Sequence, residues 1–218
     1  MSDEYDIVIA KEDDKERIVE FLRKGFYSNS PLIVASGGSP NPPTDKIPSL
    51  EYLSQGLSLL AVSKEDGRIL GVAINHCTTP EDNAPEESFT KSLSNDPYAK
   101  VRRFVRLLKD NANIWKLTGA DRGFYINILS VDPSARVRGI GKALSEQARE
   151  MARSMGYPLI WRIGINPYSI RISRNMGMDA IYTMPFSEYK DEEGKPIFNV
   201  PQPHTECVVF VQKLKSQL

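Results

Sequence analysis

Cysteine and histidine are scarce in this chain. Two cysteines, Cys77 and Cys207, and two histidines, His76 and His204, are scattered over 218 residues. That leaves no metal-ligand spacing, so structural zinc and iron–sulfur classes are set aside and no metal is expected. Each cysteine lies among apolar residues, as a buried thiol in a reducing compartment would. An excess of charge is also lacking. Lys+Arg and Asp+Glu both number 28, for a formal net charge of zero. Nothing in that balance favours a nucleic-acid backbone or an anionic membrane as partner, so any anion site must be built locally. No apolar run approaches the roughly 20 residues of a membrane span. The segment Met1-Ser-Asp-Glu-Tyr-Asp is acidic and has no apolar signal core. The expectation is a soluble cytoplasmic protein.

What is present is ordinary globular usage, with 40% hydrophobic and 26% charged residues. The length suits one domain over residues 1–218, of α/β or α+β class. Tyr5 to Ala10 alternates like a half-buried strand. Asp13 and Glu16 have the spacing of a capping box, before a helix ending near Phe26. Ser28 to Pro48 is rich in proline and glycine and reads as an irregular loop. Connections of that length often bind or cover ligands. Leu57 to Ser63 and Ile69 to His76 flank Asp66-Gly67, a hairpin signal. Asp96-Pro97 opens a helix, with Asp at the cap and Pro in the first turn. Its residues Arg102, Arg103, Arg106 and Lys109 are expected to form a solvated face. Trp115 and Trp161 are expected in the core. Further strands are expected at Phe124–Val131, Leu159–Ile163, Ala180–Met184 and Cys207–Val211. Ile140, Leu144, Ala148, Met151 and Met155 mark the apolar stripe of another helix.

The sharpest signal is Val131-Asp-Pro-Ser-Ala-Arg-Val-Arg-Gly-Ile-Gly-Lys-Ala-Leu144. A strand gives way to a short loop, and the loop to a helix with two glycines at its start. Unpaired N–H groups at a helix start point outward and carry partial positive charge. Gly139 and Gly141 permit close approach of a ligand, and Arg136, Arg138 and Lys142 add full charges. These are the parts of a diphosphate site. The run has no Gly-Lys-Ser/Thr after a four-residue gap, so it is not a Walker A loop. Leu144 stands where a dinucleotide fingerprint would place its third glycine.

Arg136-Val-Arg-Gly-Ile-Gly141 resembles the Arg/Gln-x-x-Gly-x-Gly/Ala loop of the GNAT acetyltransferases. Ile128-Leu-Ser-Val131 is similar to their central strand, and Asn166 to Gly177 to their following helix. Phe26-Tyr-x-x-x-Pro-Leu32, Tyr168-Ser-x-Arg171 and Pro201-x-Pro-His204 extend the likeness to the insect arylalkylamine N-acetyltransferases. The resemblance implies a central mixed, mostly antiparallel sheet flanked by helices. It implies an acetyl-CoA-dependent N-acetyltransferase acting on a small amine such as dopamine, tyramine or serotonin. It also places the acyl-CoA. Leu129, Ser130 and Val131 would meet the cofactor arm, and Arg136, Val137, Arg138, Gly139, Ile140, Gly141 and Lys142 would hold the diphosphate. Asn166 and Ser169 would contact it from the following helix.

The chain departs from that pattern where protons move. Ser30 precedes Pro31-Leu32, where the insect enzymes carry a general-base Glu. Ser173 stands in the position of the superfamily's tyrosine acid, and Met178 follows Gly177 where Phe is usual. A hydroxyl alone does not replace a carboxylate base. The candidate catalytic residues are therefore Ser30, Ser169 and His204, with His76, Glu51 and Tyr168 as further options. Three other readings stay open: polyamines or other amines as acceptors, a longer acyl-CoA, and a module that binds acyl-CoA without turnover.

Overall fold

The computed structural model describes residues 4–83, 96–136 and 138–214. In chain order its main elements are β1 (Tyr5–Ile9), α1 (Lys15–Leu22), α2 (Pro31–Ala35), β2 (Leu59–Ser63), β3 (Ile69–Thr78), α3 (Pro97–Ala112), α4 (Ile114–Thr118), β4 (Gly123–Val131), α5 (Ile140–Ser154), β5 (Leu159–Gly164), α6 (Pro167–Asn175), β6 (Asp179–Pro185) and β7 (Glu206–Lys213). The seven strands form one sheet in the order β1-β2-β3-β4-β5-β7-β6. Every neighbouring pair is antiparallel except β4 and β5. The mixed, mostly antiparallel sheet flanked by helices is the architecture the sequence resemblance implied.

Strand alternation sorts the core onto two faces. Phe124, Ile126, Ile160, Val208 and Phe210 pack with Ile140, Leu144 and Ala148 of α5. Tyr125, Leu159, Trp161, Cys207 and Val209 pack on the opposite face with Phe104 and Leu108 of α3. On that same face Leu60, Val72 and Ile74 meet Ile18, Val19 and Leu22 of α1. Trp161 is 1% exposed, so its expected core position holds. Cys77 and Cys207 are both free thiols.

Two local expectations are corrected. The helix after β1 is entered through a 3₁₀ turn, where the carboxylate of Asp14 accepts the Lys11 N–H at 3.0 Å. Asp14, and not the Asp13/Glu16 pair, therefore caps that corner. The loop after Tyr27 is more ordered than its proline content suggests. It contains α2 and 3₁₀ turns at Thr44–Lys46 and Pro48–Gln55. Arg23 donates two hydrogen bonds to the Pro42 carbonyl, at 3.1 and 2.8 Å. Lys46 lies 3.6 Å from Asp96, the cap of α3. The first ties the loop to the turn that follows α1, the second to the start of α3.

Candidate active site

The parallel pair β4 and β5 is in register over only three positions, Phe124–Ile126 against Ile160–Arg162. Beyond them the strands part, leaving backbone polar groups of β4 without a strand partner on that side. Unpaired backbone groups must find another partner, and an extended ligand arm lying in the opening would supply one.

A β-bulge lies at the edge of that opening. The β3–β4 register passes from Ile74↔Ile128 to Asn75↔Ile126, so Asn127 is the extra residue. An extra residue reverses the alternation of side chains beyond it. Phe124 and Ile126 face α5, and after the bulge Leu129 and Val131 do so, while Ile128 joins the α1 face. Ser130 also points to the α1 side, where a Cβ added at Gly25 would stand 3.2 Å from its Oγ. The bulge thus settles which side chains of the central strand face α5.

Past β4, Asp132 caps a short turn by accepting the Ser134 N–H at 2.7 Å. Gly139 follows at φ +76°, a left-handed conformation suited to glycine, and α5 begins at Ile140. The Ala143 N–H is the first to bond within the helix, to Gly139 O at 2.9 Å. The N–H groups of the preceding residues are left to an outside acceptor. At Gly141 an added Cβ would lie 3.2 Å from Ile172 of α6. Its lack of a side chain lets α6 close against α5 while the helix start stays open.

A cavity of about 1050 Å³ runs from this helix start through the opening between β4 and β5 to α2 and α3. Its wall includes Leu129, Ser130, Val131, Arg136, Gly139, Ile140, Gly141, Lys142, Asn166 and Ser169 from the expected cofactor set. Ser30 and His204 from the expected catalytic set line it too. Arg138 does not. Its guanidinium pairs with Glu4 at 3.2 Å, and Arg171 of α6 contributes a cation to the wall instead. Val137 lies outside the described residues. The arrangement fits acyl-CoA: open amides and cations for a diphosphate, an unpaired strand edge for an amide-bearing arm, and room beyond for an acceptor.

The three expected catalytic residues differ in their bonding. Ser169 is committed to the β5–α6 corner. Its hydroxyl donates to Asn166 O at 3.0 Å and accepts from the N–H groups of Ile165 and Asn166. Ser30 caps α2 and is 5% exposed. His204 is half-buried, and its Nδ1 is buried without a hydrogen-bond partner among the described residues. Ser173 is fully buried and donates to Ser169 O at 3.0 Å, away from the wall. Glu51 is exposed and also off the wall.

Of the further options His76 lines the wall, and other wall residues were not anticipated from the sequence. His76 stacks on Tyr52 with ring centroids 3.6 Å apart and meets the edge of Tyr125. Burial, then the charge of Lys109, push its pKa down to about 3. Arg102, Arg106 and Lys109 were expected in solvent, yet all three line the cavity. Arg162 is 3% exposed, and burial lowers its pKa to about 10. Its Nη1 reaches Ser145 at 3.4 Å, and its Nε has no partner among the described residues. A charged residue inside Leu159-Ile-Trp-Arg-Ile-Gly164 was the available signal for it.

A family model described as the acetyltransferase (GNAT) family matches residues 38–178. Arylalkylamine N-acetyltransferase 2 from Aedes aegypti superposes with a TM-score of 0.88 at 25% identity, covering 97% of this chain and 99% of that one. A mosquito arylalkylamine N-acetyltransferase-like 5b gives 0.87 at 22%, covering 96% and 100%. A Drosophila melanogaster polyamine N-acetyltransferase, which forms N-acetylagmatine, gives 0.83 at 24%, also covering 96% and 100%. Comparison with curated proteins finds no match.

Proposed function

This chain belongs to the GNAT acetyltransferase family, and from that premise we propose that it transfers an acetyl group from acetyl-CoA to a small primary amine. Enzymes of the family use acetyl-CoA as co-substrate. The observation that carries the reading is the single cavity joining the open start of α5 to an aromatic-walled chamber across the sheet. The diphosphate is held by the first amides of α5 with Arg136, Lys142 and Arg171. The thioester supplies the acetyl group once its arm lies along β4.

Tyr52, Tyr125, Phe26 and Tyr27 line the acceptor end and favour an amine carrying an aryl group. The neutral amine attacks the carbonyl carbon, and the C–N bond forms as the C–S bond breaks. The proton leaving nitrogen needs an acceptor, and the departing thiolate needs a proton. His204 serves as that acceptor in this reading. Its imidazole is on the wall, and imidazole is the side chain most often used as a general base. Ser169 holds the corner that shapes the cavity, and Ser30 lines the acceptor end as a positioning residue. Holding both substrates in one cleft supplies much of the rate. A cytoplasmic location belongs to the same proposal and is supported by the two unbridged thiols.

The test is thiol release from acetyl-CoA against tyramine, dopamine, serotonin and agmatine, with pH profiles of kcat/KM. Turnover of at least one amine is expected. His204→Ala should lower kcat by a factor of about 100 or more. Ser30→Ala should cost less than about tenfold. Loss on the order of a hundredfold at Ser30 with a mild effect at His204 would reverse the two roles. Tight acetyl-CoA binding without turnover would favour a binding module.

A further inference from the structure

We propose that the acceptor carries an acidic group, in the simplest case a carboxylate, and that Arg102 and Lys109 recognise it. The inference rests on the reading of the cavity as an acyltransferase site and names the substrate class within it.

The argument starts from helix spacing. Tyr98, Arg102, Val105 and Lys109 recur at steps of three and four residues and therefore share one face of α3. All four line the cavity. The stripe Phe104, Leu108 and Ala112 is the one buried against the sheet. Those basic side chains consequently border an enclosed space. The diphosphate does not account for them. α5 and its amides pack on one face of the sheet and α3 on the other, so Arg102 and Lys109 stand across the sheet from the cofactor loop.

The charges of Asp82 and Asp110 act on Lys109 and favour its protonated form. The Lys109 ammonium lies 4.7 Å from the ring centroid of Tyr125 and 5.5 Å from that of Trp161. Those π faces offset part of the cost of holding a cation there. Neither Lys109 nor Arg102 has an ion-pair partner among the described residues. By contrast Lys46 has Asp96 and Arg106 has Asp110. Asp82 is the one carboxylate on the described wall; it accepts from the N–H and hydroxyl of Thr79, keeps its charge, and does not come within ion-pair distance of Lys109 or Arg102. Burial draws the Lys109 pKa down to about 8, so its charge is retained at neutral pH at a desolvation cost. A carboxylate entering beside it meets a cation already stripped of much of its water. Arg102 offers the planar fork that suits carboxylates. A diamine or guanidinium-bearing amine would instead place its distal cation against two like charges.

The experiment uses matched acceptors: phenylethylamine against phenylalanine, tyramine against tyrosine, and 1,4-diaminobutane against 4-aminobutyrate. Acetyl transfer is followed by thiol release. The carboxylated member of at least one pair should have a kcat/KM about tenfold higher or more. Arg102→Ala and Lys109→Met should each erase most of that preference through the acceptor KM and leave the KM for acetyl-CoA unchanged. Lys109→Arg should keep it, because the cation remains. Equal or better use of the uncarboxylated members in every pair overturns the inference, as does a preference that survives both substitutions. Failure of every amine to react would overturn the transferase reading instead. Calorimetric titration of the same pairs into the CoA-loaded protein then decides the matter. Tighter binding of the carboxylated member that depends on Lys109 supports the inference, and its absence refutes it.

Discussion

His76 shows how one side chain ties the site to stability. It is 5% exposed, stacked on Tyr52, and held neutral with a pKa near 3, against about 6.5 when solvated. Between those values the unfolded chain binds a proton that the native state does not. Stability therefore falls as pH drops through 6.5 and continues to fall toward 3. The slope from this group is at most about 1.4 kcal/mol per pH unit. His76→Phe keeps the stacking and removes the proton site. Thermal melts of that variant should be flatter than wild type between pH 6.5 and 4.5. Parallel curves would show that His76 does not carry the acid sensitivity. The same depressed basicity makes His76 a poor proton acceptor at neutral pH, which is why His204 holds that role in the proposed mechanism.

At the scale of elements, the start of α5 separates two uses of glycine. Gly139 needs its left-handed backbone, but nothing stands within 4 Å of an added Cβ. Gly139→Ala should cost about 1 kcal/mol through backbone strain. Its affinity for acetyl-CoA should stay within a few-fold of wild type. Gly141 sits where α5, α6 and β4 converge, and an Asp there would push a charged side chain against Ile172, Val131 and Leu129 in the first turn of α5. Gly141→Asp should weaken acetyl-CoA binding by tenfold or more, as should Arg136→Glu. Arg138→Glu should do less, because Arg138 is off the wall beside Glu4. Titration calorimetry with acetyl-CoA checks the ordering. If Arg138→Glu is the most damaging, the diphosphate lies outside the described cavity. The bulge at Asn127 belongs to this scale as well. It exists only because β3 pairs with β4, and it turns Leu129 and Val131 toward α5.

For the whole molecule, the sheet works as a partition with one opening. In the proposed function the cofactor enters from the α5 and α6 side, the acceptor from the α2 and α3 side, and they meet where β4 and β5 diverge. A ligand that fills such a cleft stabilises the folded state by mass action, by about 2.7 kcal/mol at one hundred times its Kd. Saturating acetyl-CoA should accordingly raise Tm by several degrees, and the Arg136→Glu variant should lose most of that shift. The sheet also keeps the cysteines apart. Cys77 on β3 and Cys207 on β7 are separated by β4 and β5, about 14 Å at ordinary strand spacing. Bridged cysteines need Cα atoms within about 7 Å. Intact mass should be the same before and after reduction, and a gain of two hydrogens on reduction would contradict the strand order.

Local order was legible from the chain alone. Alternation marked β1, apolar runs marked the other strands, apolar steps of three and four marked α3 and α5, and Gly139, Gly156 and Gly177 adopt the positive φ that helix ends and starts require. The strand, loop and helix start of the expected diphosphate site were legible because they are consecutive in sequence, whereas the pairing of Arg138 with Glu4 was not. The candidate His204 and Ser30 came from sequence likeness, and folding brings both to one cavity. The cationic face of α3 was misread, because periodicity tells which residues share a face but not what that face meets. Arg162 went unnoticed for the same reason, since its environment is made by β4 and α5 and not by its neighbours in the chain. Only the tertiary structure decided the bulge, the opening of the sheet and the inward direction of Lys109. Each of these depends on contacts between segments far apart in sequence, and no local pattern encodes such contacts.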